Sequence, residues 1–175
     1  MSEKYSFTCS CCGKVYDEMP LCFGTEYPYY YFSIPEDERE QRIELTESLC
    51  VIDENHFFHR GRLEIPIKHY HENLIFNVWT TISKENFELR NRIWNDGNRA
   101  DHGPYFGWLE TAILAYGNTI NIKTMAYEGE AGSIPAIEVF EEDHPLTLDQ
   151  QNGITFEQAK EKVQTILAGL HGDTA

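Results

Sequence analysis

The chain has 175 residues, 41% of them hydrophobic, and its 29 acidic and 14 basic side chains leave a formal net charge of −15. This length predicts a single domain over residues 1–175, with ten Phe and ten Tyr available for a core. The charge excludes general nucleic-acid binders and proteins that bind anionic membranes, because both classes need clustered Lys and Arg. It favours solubility, and it also suits a basic protein partner.

Neither a membrane span nor a secretory signal is expected from the sequence. No run approaches the roughly 20 apolar residues that cross a bilayer. The amino terminus, MSEKYSFTC, lacks the basic and apolar regions of a signal peptide. We therefore expect a cytoplasmic protein, in which the five cysteines are metal ligands or reduced thiols and not disulfides.

The amino-terminal part of the chain predicts a short strand, an aromatic loop and one helix. Residues 5–8 predict a strand that enters a cysteine-rich turn, and the aromatic stretch 20–33 predicts an ordered loop. Ser33 and Glu36 stand in capping-box spacing, in which the Ser side chain caps the helix and the Glu side chain reaches back. This pattern predicts a helix over residues 34–48.

Strand signals dominate the middle of the chain. Residues 51–53 and 57–67 predict two strands, joined by a turn at Glu54-Asn55. Residues 74–82 predict a third strand, because apolar side chains recur at alternate positions. Ser83 then predicts the N-cap of a helix of about a dozen residues.

The remainder of the chain predicts two more strands and a long helix. The strands cover residues 119–127 and 134–140. Thr155 and Gln158 form a second capping box, which opens an amphipathic helix over residues 156–170 that is expected to dock on the sheet. Strands joined by hairpin-like loops, with helices at the sequence edges, predict an α+β fold with a mostly antiparallel sheet and helices packed on it.

The segment Cys9-Ser10-Cys11-Cys12-Gly13 carries the most specific chemical signal. Cys9 and Cys12 stand in C-x-x-C-G spacing, which lets two thiolates bind one metal ion while Gly13 permits the tight turn beneath them. The segment therefore predicts a small amino-terminal turn of the zinc-knuckle type. A thioredoxin-like redox role is disfavoured, since no predicted helix follows the pair to lower a thiol pKa.

A structural zinc site needs four thiolate or imidazole ligands, and no second C-x-x-C or H-x-x-H motif completes this one. Cys50 is the first candidate for a further ligand, because it stands where the predicted helix meets a strand. The less specific candidates are Cys22, Cys11 and His144. The alternative is a set of buried cysteines that bind no metal, since cysteine is among the most buried residue types.

Six segments follow one another in an order that resembles DUF2199, a bacterial domain of unknown function. They are Phe7–Gly13, Leu49–Asp53, Phe57–Pro66, Val78–Ser83, Pro104–Leu109 and Asp143–Leu146. The resemblance covers residues 7–155, and it implies one domain but no activity. It implies that Cys50 is a family position and that Cys22 is not. It also implies that a histidine is usual at Tyr16 and an aliphatic residue at His59.

Two further groups of residues are candidates for a site. Asp143 stands beside His144, and a carboxylate can orient an imidazole for general acid or base chemistry. His144 is therefore the catalytic candidate, with a turn before Pro145 as the alternative. Tyr105 and Trp108 suit an aromatic-walled ligand or partner surface, with core packing as the alternative.

These features lead to three hypotheses for function. The first is a soluble, non-catalytic binding or interaction module with a structural zinc held by Cys9, Cys12 and Cys50. The second is a metal- or His-dependent enzyme with a cleft walled by Tyr105 and Trp108, because a catalytic zinc needs only three protein ligands. The third is an acidic partner that neutralises a basic protein, which only the net charge supports.

Overall fold

A computed structural model describes residues 7–172 of the chain. Within this range the fold contains ten strands and four α-helices. The strands are β1 (Phe7–Thr8), β2 (Val15–Tyr16), β3 (Cys22–Gly24), β4 (Ile43–Leu45), β5 (Leu49–Ile52), β6 (His56–Ile65), β7 (Leu74–Ile82), β8 (Tyr105–Trp108), β9 (Lys123–Tyr127) and β10 (Ala136–Val139). The helices are α1 (Arg39–Arg42), α2 (Lys84–Arg92), α3 (Pro145–Asn152) and α4 (Phe156–Gly172). None of these helices is both long and apolar enough to cross a membrane.

Eight of the described strands form one mixed sheet, and β1 and β2 form a separate hairpin. The order along the sheet is β3-β7-β6-β10-β9-β8, with β5 beside β6 and β4 beside β5. Neighbouring strands are antiparallel except for β3–β7 and β6–β10, which are parallel. The predicted α+β fold with a mostly antiparallel sheet is therefore confirmed.

Strands β6 and β7 form the centre of the sheet, and each is long enough to pair with more than one neighbour. The first half of β6 pairs with β5 through a tight turn, and its second half pairs with β10. In that turn Asp53 and Glu54 have φ values of 53° and 60°, which hairpin turns of this kind require. The predicted hairpin and the strand over residues 74–82 are both confirmed.

The sheet curls, so that its last strand, β8, lies beside the central strand β7. An antiparallel bridge between Thr80 and Leu109 joins the chain just after β8 to β7. Beside it, Glu110 N donates a hydrogen bond to Trp79 O at 2.8 Å. Strands β7, β6, β10, β9 and β8 therefore surround an interior, as in a small, partly closed barrel.

The main hydrophobic core lies between the sheet and α4. The predicted capping box begins this helix, since Thr155 N donates to Gln158 Oε1 at 2.9 Å and Gln158 N donates to Thr155 Oγ1 at 3.1 Å. The buried face of α4 consists of Ala159, Val163, Ile166 and Leu167. Each of the larger apolar side chains on this face contributes about 1.5–3 kcal/mol by burial, which fixes α4 against the sheet.

The predicted helix over residues 34–48 is wrong. Residues 36–38 form a 3₁₀ turn, α1 is only four residues long, and β4 then pairs with β5. Ser33 Oγ donates to Tyr30 O at 2.6 Å instead of capping a helix. The edge of β5 offers hydrogen-bond partners to β4, and this tertiary pairing overrides the local helical preference.

Other elements also differ from the prediction, among them α3 and β9. The sequence predicts only a turn at Pro145, but this residue begins α3. Strand β9 begins at Lys123 and not at residue 119, because the side chain of Thr119 forms hydrogen bonds with residues outside the strands. Its Oγ1 accepts from Ile113 N at 3.0 Å and donates to Thr111 O at 2.8 Å, which holds this stretch outside the sheet.

Candidate metal centre

The candidate metal centre lies in the turn of the β1–β2 hairpin. Two backbone hydrogen bonds close the turn, from Cys9 N to Lys14 O at 2.8 Å and from Gly13 N to Cys9 O at 2.9 Å. Gly13 has a φ of 73°, a conformation that residues with a side chain rarely adopt. The C-x-x-C-G segment thus forms the tight turn that its spacing predicts.

Three thiols meet in this turn. The Sγ atoms of Cys9, Cys11 and Cys12 all lie within 4.8 Å of one another. Cys9 is buried against the core, whereas Cys11 and Cys12 are exposed. Among the side chains that the structure describes, no other group of three His, Cys, Asp or Glu residues converges in this way. The sequence predicts Cys9 and Cys12 as a pair, and the fold adds Cys11 to them.

The thiols of Cys9 and Cys11 polarise each other. Their Sγ atoms are 2.9 Å apart. The hydrogen bond from the Cys11 side chain, helped by the backbone N–H groups of Cys11 and Cys12, lowers the pKa of Cys9 to about 6 against the opposing effect of burial. Donating that hydrogen bond raises the pKa of Cys11 to about 11. This hydrogen bond therefore favours the thiolate form of Cys9.

The donor set suits a soft or borderline metal ion such as zinc. Thiolates bound to one tetrahedral zinc are about 3.8 Å apart. This distance lies between the 2.9 Å that separates the Cys9 and Cys11 sulfur atoms and the upper limit of 4.8 Å for the three sulfur atoms. Three protein ligands leave one tetrahedral position for water or for another molecule. A bound cation would also favour loss of the remaining thiol protons, because metal ligands must be deprotonated.

Helix α4 holds the turn in place through Gln164, which the sequence analysis did not identify. Gln164 Oε1 accepts from Ser10 N and from Ser10 Oγ, both at 2.9 Å. Gln164 Nε2 donates to Thr8 O at 3.1 Å. A glutamine on a helix carries no sequence signal for such a contact, because Ser10 and Gln164 are 154 positions apart in the chain.

The structure places the other two cysteines outside the three-thiol group. Cys50 lies opposite Phe58 in an apolar cluster separate from the core that contains Cys9. Burial raises the pKa of Cys50 to about 12, which keeps its sulfur as a thiol. Cys22 lies in β3, where its Sγ accepts a long hydrogen bond from Asn77 Nδ2 at 3.7 Å.

His144 is the N-cap of α3 and is also outside the three-thiol group. Its Nδ1 accepts from Leu146 N at 3.1 Å, so Nε2 carries the proton and donates to Asn118 O at 2.9 Å. Asp143 has a φ of 60° and forms the turn before the helix. Both ring nitrogens of His144 are therefore engaged in holding the start of α3.

Tyr105 and Trp108 lie on opposite faces of β8. Side chains alternate along a strand, so Tyr105 is buried while Trp108 is 41% exposed. The two residues therefore do not line one cleft. Trp108 contacts Phe106 edge-on at a centroid distance of 5.1 Å, and Phe106 contacts Phe140 at 6.0 Å. These three rings form an exposed aromatic patch, whereas Tyr105 faces the interior of the sheet.

Comparison with known proteins identifies the family but no characterised relative. A family model described as an uncharacterized protein conserved in bacteria, DUF2199, matches residues 8–154. No curated protein and no solved structure matches the chain. The matched span contains all three clustered cysteines, and it ends just before α4. Because the match covers most of the sequence, the chain belongs to the DUF2199 family.

Proposed function

We propose that the chain is a non-catalytic binding module whose amino-terminal turn binds zinc through Cys9, Cys11 and Cys12. The observation that supports the metal is the convergence of three thiols in a closed, glycine-containing turn. In this proposal Cys11 takes the role that the sequence analysis gave to Cys50, and a water molecule completes the four ligands of the zinc. The bound zinc stabilises the β1–β2 hairpin, since a two-stranded hairpin is only marginally stable by itself.

The surroundings of the turn support a structural role for the metal. The rings of Phe7 and Tyr16, on the two strands of the hairpin, are 6.0 Å apart, and Phe7 belongs to the main core. Gln164 connects the turn to α4. A metal ion held by the turn would therefore join the hairpin, the core and the last helix.

Binding is favoured over catalysis by the state of the catalytic candidates. His144 has both ring nitrogens engaged, and Tyr105 and Trp108 face opposite sides of the sheet. One observation favours the enzyme as a second candidate, namely that three thiols leave a tetrahedral position open. If the bound partner is a protein, the net charge of −15 suits a basic one.

The metal content of tag-free protein, purified under reducing conditions, tests the proposal. Mass spectrometry should find about one zinc per chain in the unmodified protein and much less in Cys11→Ser. Cys22→Ser is the matched control, because Cys22 is an exposed cysteine outside the group. Cys50→Ala should also retain zinc. Absence of metal from the unmodified protein, or full retention by Cys11→Ser, contradicts the proposed ligand set.

Thermal unfolding of the same variants separates the two candidate functions. A structural zinc requires that Cys11→Ser loses zinc and melts at a lower temperature, because metal binding contributes to folding free energy. Zinc loss without a change in melting temperature would favour an open, catalytic site instead. Chelation of the unmodified protein should reproduce the shift seen in Cys11→Ser, and zinc addition should reverse it.

A further inference from the structure

A cluster of buried charged and polar side chains lies at one end of the interior that the curled sheet encloses. Its members come from β6, α2, the 3₁₀ turn over residues 99–101, β8 and the residue after β9, and none is more than 7% exposed. They are His59, Arg90, Arg99, Tyr105 and Glu128. The cluster shares no residue with the three-thiol group. A buried charged group is strongly destabilising unless an opposite charge or hydrogen bonds compensate it.

Arg99 has an acidic partner, although its Nε has no hydrogen-bond partner among the described residues, whereas Arg90 lacks an acidic partner. Arg99 Nη2 pairs with the Glu128 carboxylate, and Arg99 Nη1 donates to Glu130 O at 2.7 Å. Arg90 Nη1 donates to Asn91 Oδ1 at 3.2 Å. Its Nε and Nη2 have no hydrogen-bond partner among the residues that the structure describes. Nε and Nη2 lie on the same edge of the guanidinium, and this edge binds a carboxylate through two parallel hydrogen bonds.

The charges of the cluster do not balance. Two arginines face one glutamate, and the other two members are neutral at neutral pH. Burial, with the nearby charge of Arg90, lowers the pKa of His59 to about 3, and burial lowers the pKa of Arg90 only to about 10. Burial and the charge of Glu128 raise the pKa of Tyr105 to about 12. One positive charge is thus uncompensated in a buried site, which is strongly unfavourable.

Trp94 connects this cluster to the surface. The guanidinium carbons of Arg90 and Arg99 are each 4.5 Å from the centroid of the Trp94 ring. Trp94 is half-buried, and it also lines a surface cleft of about 270 Å³ together with Arg60 and Asn77. Trp94 therefore both contacts the two buried guanidinium groups and borders the cleft.

We propose that this end of the barrel binds a small carboxylate, held side-on by Nε and Nη2 of Arg90 beside His59 and Trp94. A monovalent anion neutralises the single excess charge, whereas a dianion would leave the buried cluster with a net negative charge. The mouth of a barrel is a common place for small-molecule sites. This inference rests on the proposed role of the chain as a binding module and names the chemical class of its ligand, but it does not involve the metal.

Formate is the probe, because it is the smallest carboxylate. At equal ionic strength, sodium formate should raise the melting temperature of the unmodified protein saturably, and sodium chloride should not. Arg90→Lys keeps the charge but removes the two-nitrogen edge, so it should weaken formate binding about tenfold. Arg62→Lys is the control, because Arg62 is a half-exposed arginine that pairs with Glu64 and lies on the face of β6 opposite to His59. Equal shifts in formate and chloride overturn the proposal.

The unmodified protein provides a second readout that does not depend on a variant. Nuclear Overhauser contacts between the formate proton and the ring protons of Trp94 or Tyr105 would support the site, and contacts only with other residues would overturn it. Saturable binding of inorganic phosphate without binding of formate would overturn the carboxylate assignment. Zinc content is measured in the same samples, so that failure to bind formate by zinc-loaded protein rejects this site and leaves the metal centre unaffected.

Discussion

Two buried cysteines, Cys9 and Cys50, differ in what surrounds their sulfur atoms. Cys50 is packed among apolar side chains, and burial raises its thiol pKa to about 12. Cys9 is equally buried, but the Cys11 side chain and two backbone N–H groups donate to its sulfur and lower its pKa to about 6. Only the second environment stabilises a thiolate, which is the form that binds metal. A cysteine's position in the sequence does not distinguish these cases.

His59 provides a prediction at the residue scale, because both of its ring nitrogens are buried without a partner among the described residues. His59→Leu should increase the free energy of unfolding at pH 7 by about 1–3 kcal/mol, since it removes unsatisfied polar atoms from the interior. Urea unfolding measures the change, and His71→Leu, at an exposed histidine, serves as the control.

The same substitution should change how stability depends on pH. The folded pKa of His59 is about 3, well below the value of roughly 6.5 in an unfolded chain. Below about pH 6.5 the unfolded state therefore binds a proton that the folded state does not, and stability is lost as the pH falls toward the folded pKa. Between pH 6.5 and 5 this loss is about 2 kcal/mol, and His59→Leu should remove it. Parallel pH profiles for the two proteins would contradict this assignment.

At the scale of elements, the β1–β2 hairpin depends on α4 through one side chain. Gln164→Ala removes the hydrogen bonds to Ser10 and Thr8, and it should lower the free energy of unfolding by about 1–2 kcal/mol. Amide hydrogen exchange in the turn around Ser10 should accelerate, because this contact is local. Gln151→Ala, at an exposed glutamine in α3, is the control. Unchanged exchange in the turn would show that the hairpin is held by other contacts.

The elements also show which local signals are reliable. The capping box of Thr155 and Gln158 begins α4 as predicted, because the helix that follows has a continuous apolar face. The capping-box pattern of Ser33 and Glu36 begins no long helix, because β5 provides a strand partner for β4. A cap pattern therefore predicts a helix only where no neighbouring strand edge competes for the same backbone groups.

At the scale of the whole molecule, closure of the sheet depends on a close approach at Gly107. A Cβ atom at this position would lie 2.1 Å from the carbonyl oxygen of Thr81, which belongs to the backbone of β7. Gly107→Ala should therefore force β8 away from β7 and lower the free energy of unfolding by about 3 kcal/mol or more. Thermal and urea unfolding measure the effect. Gly97→Ala is the control, because a Cβ there meets nothing within 4 Å, and equal stability of the two variants would contradict the closure.

The sequence alone determined the features that depend on neighbouring residues. Alternating apolar side chains predicted the strand over residues 74–82, the capping box and apolar periodicity predicted α4, and the C-x-x-C-G spacing predicted the tight turn at Cys9. The α+β class followed from these elements. Such features are local because a strand, a helix or a turn is specified by residues a few positions apart.

Only the tertiary structure decided which distant residues meet. It assigned Cys11 and not Cys50 to the thiol group, joined the turn to Gln164, and turned Tyr105 and Trp108 to opposite faces. It also assembled the buried charged cluster from five separate segments of the chain. Hydrophobic burial and strand pairing select these contacts over the whole molecule at once, and no short window of sequence contains that information.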